Sequence, residues 1–258
     1  MQLKNQRIFL WLSKLVYPLF YLRYQGKSSV VIEAENGTQF WIRVNSSDIL
    51  VIWEIWKEKV YDDVRIPIGA DDVIVDIGAH IGAFAVRAAK LAHRGHVYAY
   101  EASSKNFATL LQNQQLNCLE NLHIENKAVL DRHGRIPLYI PGGNGALGSV
   151  LQETSSSMEM VHATTLSDLI VEHSIGQVDF LKVDVEGAEY DILFNCSPET
   201  LAKVRYVAME YHEFVGDTRS HLDLVDLLNS HGFKVTVERG VFPQRFIFGT
   251  GIIKAWRE

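Results

Sequence analysis

The sequence predicts an α/β protein built on a mostly parallel sheet, and three observations carry that expectation. From Asp71 onward, short β-branched runs alternate with helical apolar stripes, the pattern of strands covered by helices on both faces. Four acids, Asp76, Glu101, Asp184 and Glu210, fall at or just after predicted strand ends, so one rim collects carboxylates. The last two strand signals flank Gly240 and Pro243 at short range, which predicts an antiparallel hairpin at the end of the chain. Together these give a Rossmann-like, seven-stranded sheet with one antiparallel strand, preceded by a small helical and hairpin extension.

Each element has its own signal. Residues 30–44 alternate apolar and polar around Asn36-Gly37, a strong hairpin signature. Residues 48–61 place Ile49, Ile52, Trp53 and Trp56 on one helical face. Val73-Ile74-Val75 is the first strand of the sheet and ends at Asp76, and its helix carries Ile81, Phe84, Ala85, Ala88 and Ala89 on one stripe. His96 to Tyr100 is the second strand, followed by a helix with Phe107, Leu110, Leu111 and Gln114 inward. Leu122 to Glu125 is the third strand. An insertion over 131–165 then holds the loop-like stretches Pro141 to Gly145 and Ser149 to Ser157. Leu166 to His173 reads as a short helix, Val178 to Val183 as a strand running into Asp184, and Gly187 to Phe194 as a helix. Val204 to Met209 is a strand ending at Glu210. Leu222 to Leu228 is helical, and Phe233 to Val237 and Phe246 to Ile253 are the closing strands.

Composition bounds the partners. The 258 residues hold 47% hydrophobic and 22% charged side chains, an ordinary globular mix, with a net charge of −6. That acidic balance supplies no broad field for a polyphosphate, so small molecules, sugars or lipid-like acceptors are favoured over nucleic acid. Two cysteines, Cys118 and Cys196, form no CxxC unit and read as buried free thiols in a reducing cytoplasm. Residues 8–24 are apolar and aromatic but interrupted by Lys14, Pro18 and Arg23, too short and broken to span a bilayer. No small-residue cleavage signature follows them. They read as a helix packed on the domain, with a peripheral helix on a membrane surface as the second reading. The division expected is 1–65 as a lead-in, a cap on the acceptor side, and 66–258 as the catalytic domain. Nothing in the sequence excludes a homodimer.

The turn after the first sheet strand discriminates between cofactors. A dinucleotide site asks for GxGxxG, whereas this turn is Asp76-x-Gly78-x-x-x-Gly82, with His80 where the second glycine belongs. A carboxylate at that place repels a pyrophosphate and suits a ligand bearing an ammonium and a sulfonium, as S-adenosylmethionine does. Gly78 lets backbone approach the ligand, Gly82 permits tight packing as the helix begins, and Glu101 is placed to accept from both ribose hydroxyls.

These stretches resemble the FkbM-type methyltransferases, a class I group. The resemblance lies in VIVDIGAHIGAFA at 73–85, YEASSKNFATLLQNQQLN at 100–117, ENKAVL at 125–130 and TLSDL at 165–169. It continues through DFLKVDVEGAEYDIL at 179–193 to MEYHEF at 209–214, with DILVIWEIWKEKVYDD at 48–63 similar to the family's lead-in. KVDVEGAE is its most specific block. The resemblance implies methylation of a hydroxyl oxygen with S-adenosylmethionine as donor. It would place Asp76, Gly78, Ala79, His80 and Gly82 at the amino-acid part of the cofactor and Glu101 at the ribose. Asn126 to Ala128 would lie near the adenine and Asp184 near the methionine end. The family often has proline after the strand-two acid, where this chain has Ala102-Ser103.

For proton removal from a hydroxyl, His212 is the first candidate base, with Asp184 and Glu186 next. Lone histidines are more often structural, Glu186 also suits a helix opening, and Glu189 reads similarly. Asp184, Glu186, Glu210 and His212 are hard-metal ligand types at no diagnostic spacing, so no metal is expected. No Asn/Asp-Pro-Pro-Tyr/Phe stretch serves an exocyclic amine, which favours oxygen on a small molecule, a sugar or glycan, or a polyketide-like product. The aromatics Tyr17, Tyr21, Tyr24, Trp53, Trp56 and Tyr61 line either an acceptor pocket or the core, and the 141–157 loop has the character of a lid. Two other classes compete: an NAD-dependent oxidoreductase and a non-catalytic binder of the cofactor.

Overall fold

The computed structural model describes residues 18–140, 157–213, 218–239 and 249–257. Most of the 8–24 stretch, the loop after Ile140 and the turn at Gly240 to Pro243 lie outside them. Residues 18–23 are helical. An antiparallel hairpin follows, β1 (Ser29–Glu33) and β2 (Gln39–Arg43), turning through Asn36 and Gly37 at φ 57° and 71°. Helix α1 (Asp48–Ile52) widens into a π-helical turn (Trp53–Glu58) and stops at Lys59 in the left-handed region. Of the expected face, Ile52 and Trp56 are buried and Ile49 packs partly buried on the same core, while the wider turn brings in Ile55 and leaves Trp53 only partly buried.

The main sheet has seven strands in the order β11-β12-β10-β9-β3-β4-β5. They are β3 (Val73–Ile77), β4 (His96–Tyr100), β5 (Leu122–Glu125), β9 (Phe180–Val183), β10 (Tyr206–His212), β11 (Lys234–Arg239) and β12 (Thr250–Trp256). All are parallel except β12, which runs antiparallel to both β10 and β11. The order reverses between β3 and β9, where the chain, having added β4 and β5 on one side of β3, returns to add β9 on the other, so the cleft of an open parallel sheet belongs at the ends of these strands.

Helices cover both faces. On one, α2 (Ala83–Leu91), α3 (Ser104–Leu116), α1 and the hairpin pack with Ile74 and Phe180. On the other, α4 (Leu166–Glu172), α5 (Glu189–Phe194), α6 (Pro198–Ala202) and α7 (His221–Ser230) pack on Val75, Ile77, Leu181 and Val183. The period of two along each strand sends neighbours to opposite cores. The lead-in thus shares a core with the sheet.

Three details depart from the sequence expectation. In α3, Leu111 is partly exposed at 37%, and the buried stripe runs through Asn106, Leu110 and Asn113. Asn113 is worth burying because its amide donates to the Ile81 carbonyl (2.8 Å) and its oxygen accepts from Trp41 N (2.7 Å), tying hairpin, turn and helix together. The insertion joins the residues just before it in a three-stranded sheet, β6 (Ala128–Leu130), β8 (Ser157–Thr165) and β7 (Gly134–Ile140) in that order, with its own core of Leu130, Ile136, Leu138 and Val161. Both cysteines are free, but Cys118 is exposed, in the left-handed residue just past α3. Among the described residues no helix is long and apolar enough to cross a membrane.

Candidate active site

The carboxyl ends of β3, β4 and β9, with β10, open into a cavity of about 760 Å³, within the range of small-molecule sites. Its floor is the β3–α2 turn. Gly78 N and Ala79 N both donate to the Tyr100 carbonyl (3.0 and 2.9 Å), and His80 N donates to Glu101 Oε2 (2.7 Å). Gly78 sits at φ +80°, and a Cβ there would stand 1.8 Å from the Asp184 carbonyl oxygen. Its glycine is therefore demanded by the chain leaving β9. A Cβ on Gly82, at φ +86°, would meet Leu110 Cδ1 at 2.4 Å, so this glycine seats α2 against α3. Gly78, Ala79 and His80 line the cavity; Gly82 does not.

Asp76 lies beneath this turn. It is fully buried and absent from the cavity wall. Strand register sets it opposite Lys182, whose Nζ stands 3.1 Å from Asp76 Oδ1, donates to the Gly78 carbonyl (2.7 Å) and lies 3.7 Å from Asp184 Oδ2. The positive partner of Asp76 is thus a lysine, where the sequence suggested a ligand's ammonium. Burial pushes the Asp76 carboxyl up and Lys182 pulls it back; on Lys182, burial opposes the charge, but Asp76 and Asp184 outweigh it.

On the β4 side Glu101 faces the cavity. Its Oε1 accepts from Ser103 N (2.8 Å) and Oε2 from His80 N, while burial raises its pKa against these bonds. Asn126 stands behind, its amide donating to the carbonyls of Glu101 (2.8 Å) and Ala102 (2.9 Å). It shapes the loop while Lys127 and Ala128 line the wall. The His80 ring lies against the cavity with neither nitrogen hydrogen-bonded among the described residues, and burial lowers its pKa to about 4.

The opposite wall is acidic. Asp184 and Glu186 follow β9, Glu210 comes from β10 and Glu54 from the π-helical turn. Tyr61, just past that turn, donates its hydroxyl to Asp184 Oδ2 (3.0 Å). Burial and the field of Asp184 raise Glu54 to about 7. Burial likewise lifts Glu186 to about 7, with Asp184 and Glu189 adding to it and His212 opposing, and it raises Glu210. Glu186 holds φ 54°, a strained value for a non-glycine residue of the kind found at functional sites.

His212 does not line the cavity. It lies behind the acids, 7% exposed, on the same side of β10 as Glu210 two residues earlier. Its Nδ1 donates to Glu189 Oε1 (2.9 Å), and Nε2 stands 3.4 Å from Glu186 Oε2 and 3.9 Å from Glu210 Oε1. Burial opposes its charge, but the Glu189 hydrogen bond and the fields of Glu189, Glu186 and Glu210 raise it to about 10. In this arrangement the ring already carries its proton near neutral pH, so the structure does not favour it as the base.

Three residues of this site carried little sequence signal. Glu54 follows Leu50 by one helical turn, and both line the cavity. Among the described residues, Tyr61 is the member of the aromatic lead-in on the wall; Trp56 is core, donating Nε1–H to the Ala83 carbonyl (3.1 Å). Glu189 opens its helix as the sequence suggested, but it is also fully buried as the anchor of His212, which the sequence did not show.

Comparison with known proteins agrees with this architecture. Residues 76–235 match the methyltransferase FkbM domain. Methyltransferase 1 of Beauveria bassiana is 28% identical over 208 residues, 72% of this chain and 81% of that protein. The 2-O-methyltransferase NoeI of Sinorhizobium fredii is 28% identical over 189 residues, 66% and 76% of the two chains. The 31-O-demethyl-FK506 methyltransferase FkbM of Streptomyces tacrolimicus is 27% identical over 229 residues, 76% and 86%. Among solved structures, the Methanococcus jannaschii fibrillarin pre-rRNA processing protein superposes with a TM-score of 0.50 at 16% identity, covering 90% of this chain and 86% of that one. This last likeness concerns the fold.

Proposed function

The chain belongs to the FkbM methyltransferase family, and from that premise we propose that it methylates a hydroxyl oxygen of a small molecule, sugar or polyketide-like acceptor, with S-adenosylmethionine as donor. The observation that carries this reading is one cavity holding both a glycine turn with an adjacent buried acid, Glu101, and a facing wall of carboxylates. The residues present fit the donor. Gly78 leaves the turn no room for a side chain, Glu101 turns its carboxylate to the cavity, and the His80 ring nitrogens make no hydrogen bond among the described residues. Gly78, Ala79 and His80 would hold the amino-acid part, Glu101 the ribose, and Ala128 with Lys127 the adenine edge. Asp76, Gly82 and Asn126 act one layer back, fixing Lys182, the start of α2 and the β4 exit loop. When bound, S-adenosylmethionine supplies an electrophilic methyl carbon on a sulfonium.

The protein's own work is positioning and proton removal. Asp184 already accepts from Tyr61 and lies near Lys182, so its part is orientation at the methionine end. Glu186, on the same wall, is assigned the acceptor's proton. His212, held by Glu189, positions Glu186 and Glu210 from behind. The lead-in from Ser47 to Asp62 forms the outer wall, in keeping with a cap over the acceptor. Relatives named as O-methyltransferases and the absence of an Asn/Asp-Pro-Pro-Tyr/Phe stretch support oxygen as the target.

Calorimetric titration with S-adenosylhomocysteine and with NAD tests the donor: saturable binding of the first alone supports the reading, and binding of NAD alone sinks it. Incubation of cell extract with methyl-labelled donor, followed by identification of the labelled product, tests the acceptor. A label on nitrogen or carbon would refute O-methylation.

A further inference from the structure

We propose that Tyr61 is a positioning residue for the methyl donor: its hydroxyl holds one oxygen of Asp184 so that the other faces the ammonium of S-adenosylmethionine. The inference rests on the donor reading above and adds to it a residue from outside the matched domain. The geometry starts with the two oxygens of Asp184. Oδ2 accepts from the Tyr61 hydroxyl at 3.0 Å and stands 3.7 Å from Lys182 Nζ. Oδ1 makes no hydrogen bond among the described residues, and the side chain, 27% exposed, borders the cavity. A carboxylate pinned through one oxygen is an acceptor aimed with the other, and an ammonium is the partner that gives it a charge-assisted bond. Lys182 does not do the pinning, because its Nζ is nearer to Asp76 Oδ1 (3.1 Å) and to the Gly78 carbonyl (2.7 Å).

Tyr61 can aim a neighbour because it is itself held. Lys59, at φ 54°, ends the π-helical turn two residues earlier. The Tyr61 ring is 4% exposed, with Phe84 of α2 edge-on to it at 5.8 Å. The next residue is clamped from two other elements. Arg87 on α2 donates through both terminal nitrogens to the Asp62 carboxylate (2.6 Å each), and Lys254 on β12 donates to the Asp62 carbonyl (2.9 Å). Burial, and then the field of Asp184, raise the phenol's pKa, so the hydroxyl stays a donor. Filling space in the core asks only for the ring, which phenylalanine supplies equally. The hydroxyl is a separate feature, and among the described residues its partner is the carboxylate that borders the cavity.

Calorimetry with two ligands separates positioning from packing. S-adenosylhomocysteine carries the ammonium, whereas 5′-methylthioadenosine is the corresponding nucleoside thioether without the amino-acid end. Tyr61→Phe should weaken S-adenosylhomocysteine binding about three- to tenfold, the range of one net hydrogen bond, and leave 5′-methylthioadenosine within about twofold of the parent. Asp184→Asn should show the same selective loss, about tenfold or more. Adding Tyr61→Phe to Asp184→Asn should cost less than about twofold further, because the hydroxyl acts through that charge. Unchanged S-adenosylhomocysteine affinity in Tyr61→Phe overturns the proposal, and so does a fully additive double variant. A Tyr61→Phe chain that unfolds, or that loses both ligands equally, has lost a structural contact and overturns it as well. Asp184→Asn gives an independent check, since equal loss of both ligands there removes the aimed oxygen from the argument. A parent that binds 5′-methylthioadenosine but not S-adenosylhomocysteine, or neither, is a different result: it sinks the donor reading and the proposal with it.

Discussion

Replacing Lys182 by methionine should destabilise the chain severely, and its partner residue should explain why. The side chain is 4% exposed and Asp76 is fully buried, so methionine keeps most of the volume while removing the only cation beside that carboxylate among the described residues. It also removes the donor to the Gly78 carbonyl. Breaking a buried pair by deleting one member costs about 3–5 kcal/mol, because the remaining charge is uncompensated. Against a domain stability of roughly 5–15 kcal/mol, that is a large share. Guanidinium unfolding followed by circular dichroism measures it. Asp76→Asn in the Lys182→Met background should restore on the order of 2 kcal/mol, since an amide buries no charge. The pH dependence has a defined sign. Without Lys182, the Asp76 carboxyl is raised further in the folded state, and an acid with a raised folded pKa loses stability as pH rises. The defect should therefore be smaller at pH 5 than at pH 8. A loss below about 1 kcal/mol, or a double variant no more stable than Lys182→Met, would refute the pairing as the organising contact under the turn.

Three further outcomes are expected. His80 is neutral in the fold, with a pKa lowered from 6.5 to about 4 by burial, so its contribution is fully present above pH 6.5 and lost as pH falls towards 4. The loss amounts to ~3 kcal/mol, and denaturation midpoints across that window should flatten in His80→Gln. Gly78→Ala should abolish S-adenosylhomocysteine binding, because its Cβ would stand 1.8 Å from the Asp184 carbonyl; calorimetry showing unchanged affinity would contradict the packing at the turn. Glu101→Gln should weaken that affinity about tenfold or more while the far-ultraviolet spectrum stays unchanged, through loss of a charged acceptor.

Much of the fold was legible because it rests on local patterning. β4 and β5 follow from alternation bounded by turn residues, and α2 from one uninterrupted alanine-rich stripe. What stayed hidden depends on contacts between distant segments. Asn113 reads as a solvent-facing residue until the Ile81 carbonyl and Trp41 amide are beside it. The β6-β8-β7 sheet joins strands across a long insertion. The π-helical turn shifts the buried face to Ile55 and brings Glu54 to the cavity, which a period of 3.6 does not foresee. At the site, Glu101 and the glycine turn stand out because strand ends and φ demands are local properties. The pairing of Asp76 with Lys182 depends on the register of β3 against β9, and the protonated state of His212 depends on Glu189, 23 residues away.

The reach of the cavity wall bears on how such enzymes diverge. The conserved-domain match spans 76–235, yet Glu54 and Tyr61 precede it and Glu238 and Lys254 follow it, all four bordering the same space. Two relatives with matching glycine turns would keep the same donor, while exchange of the lead-in and the last strand would change what is methylated. On the proposed assignment, the donor-side residues fall inside the matched domain while part of the opposite wall falls outside it. Grafting residues 47–60 between relatives, with Tyr61 kept, is a direct way to move selectivity without touching the donor site.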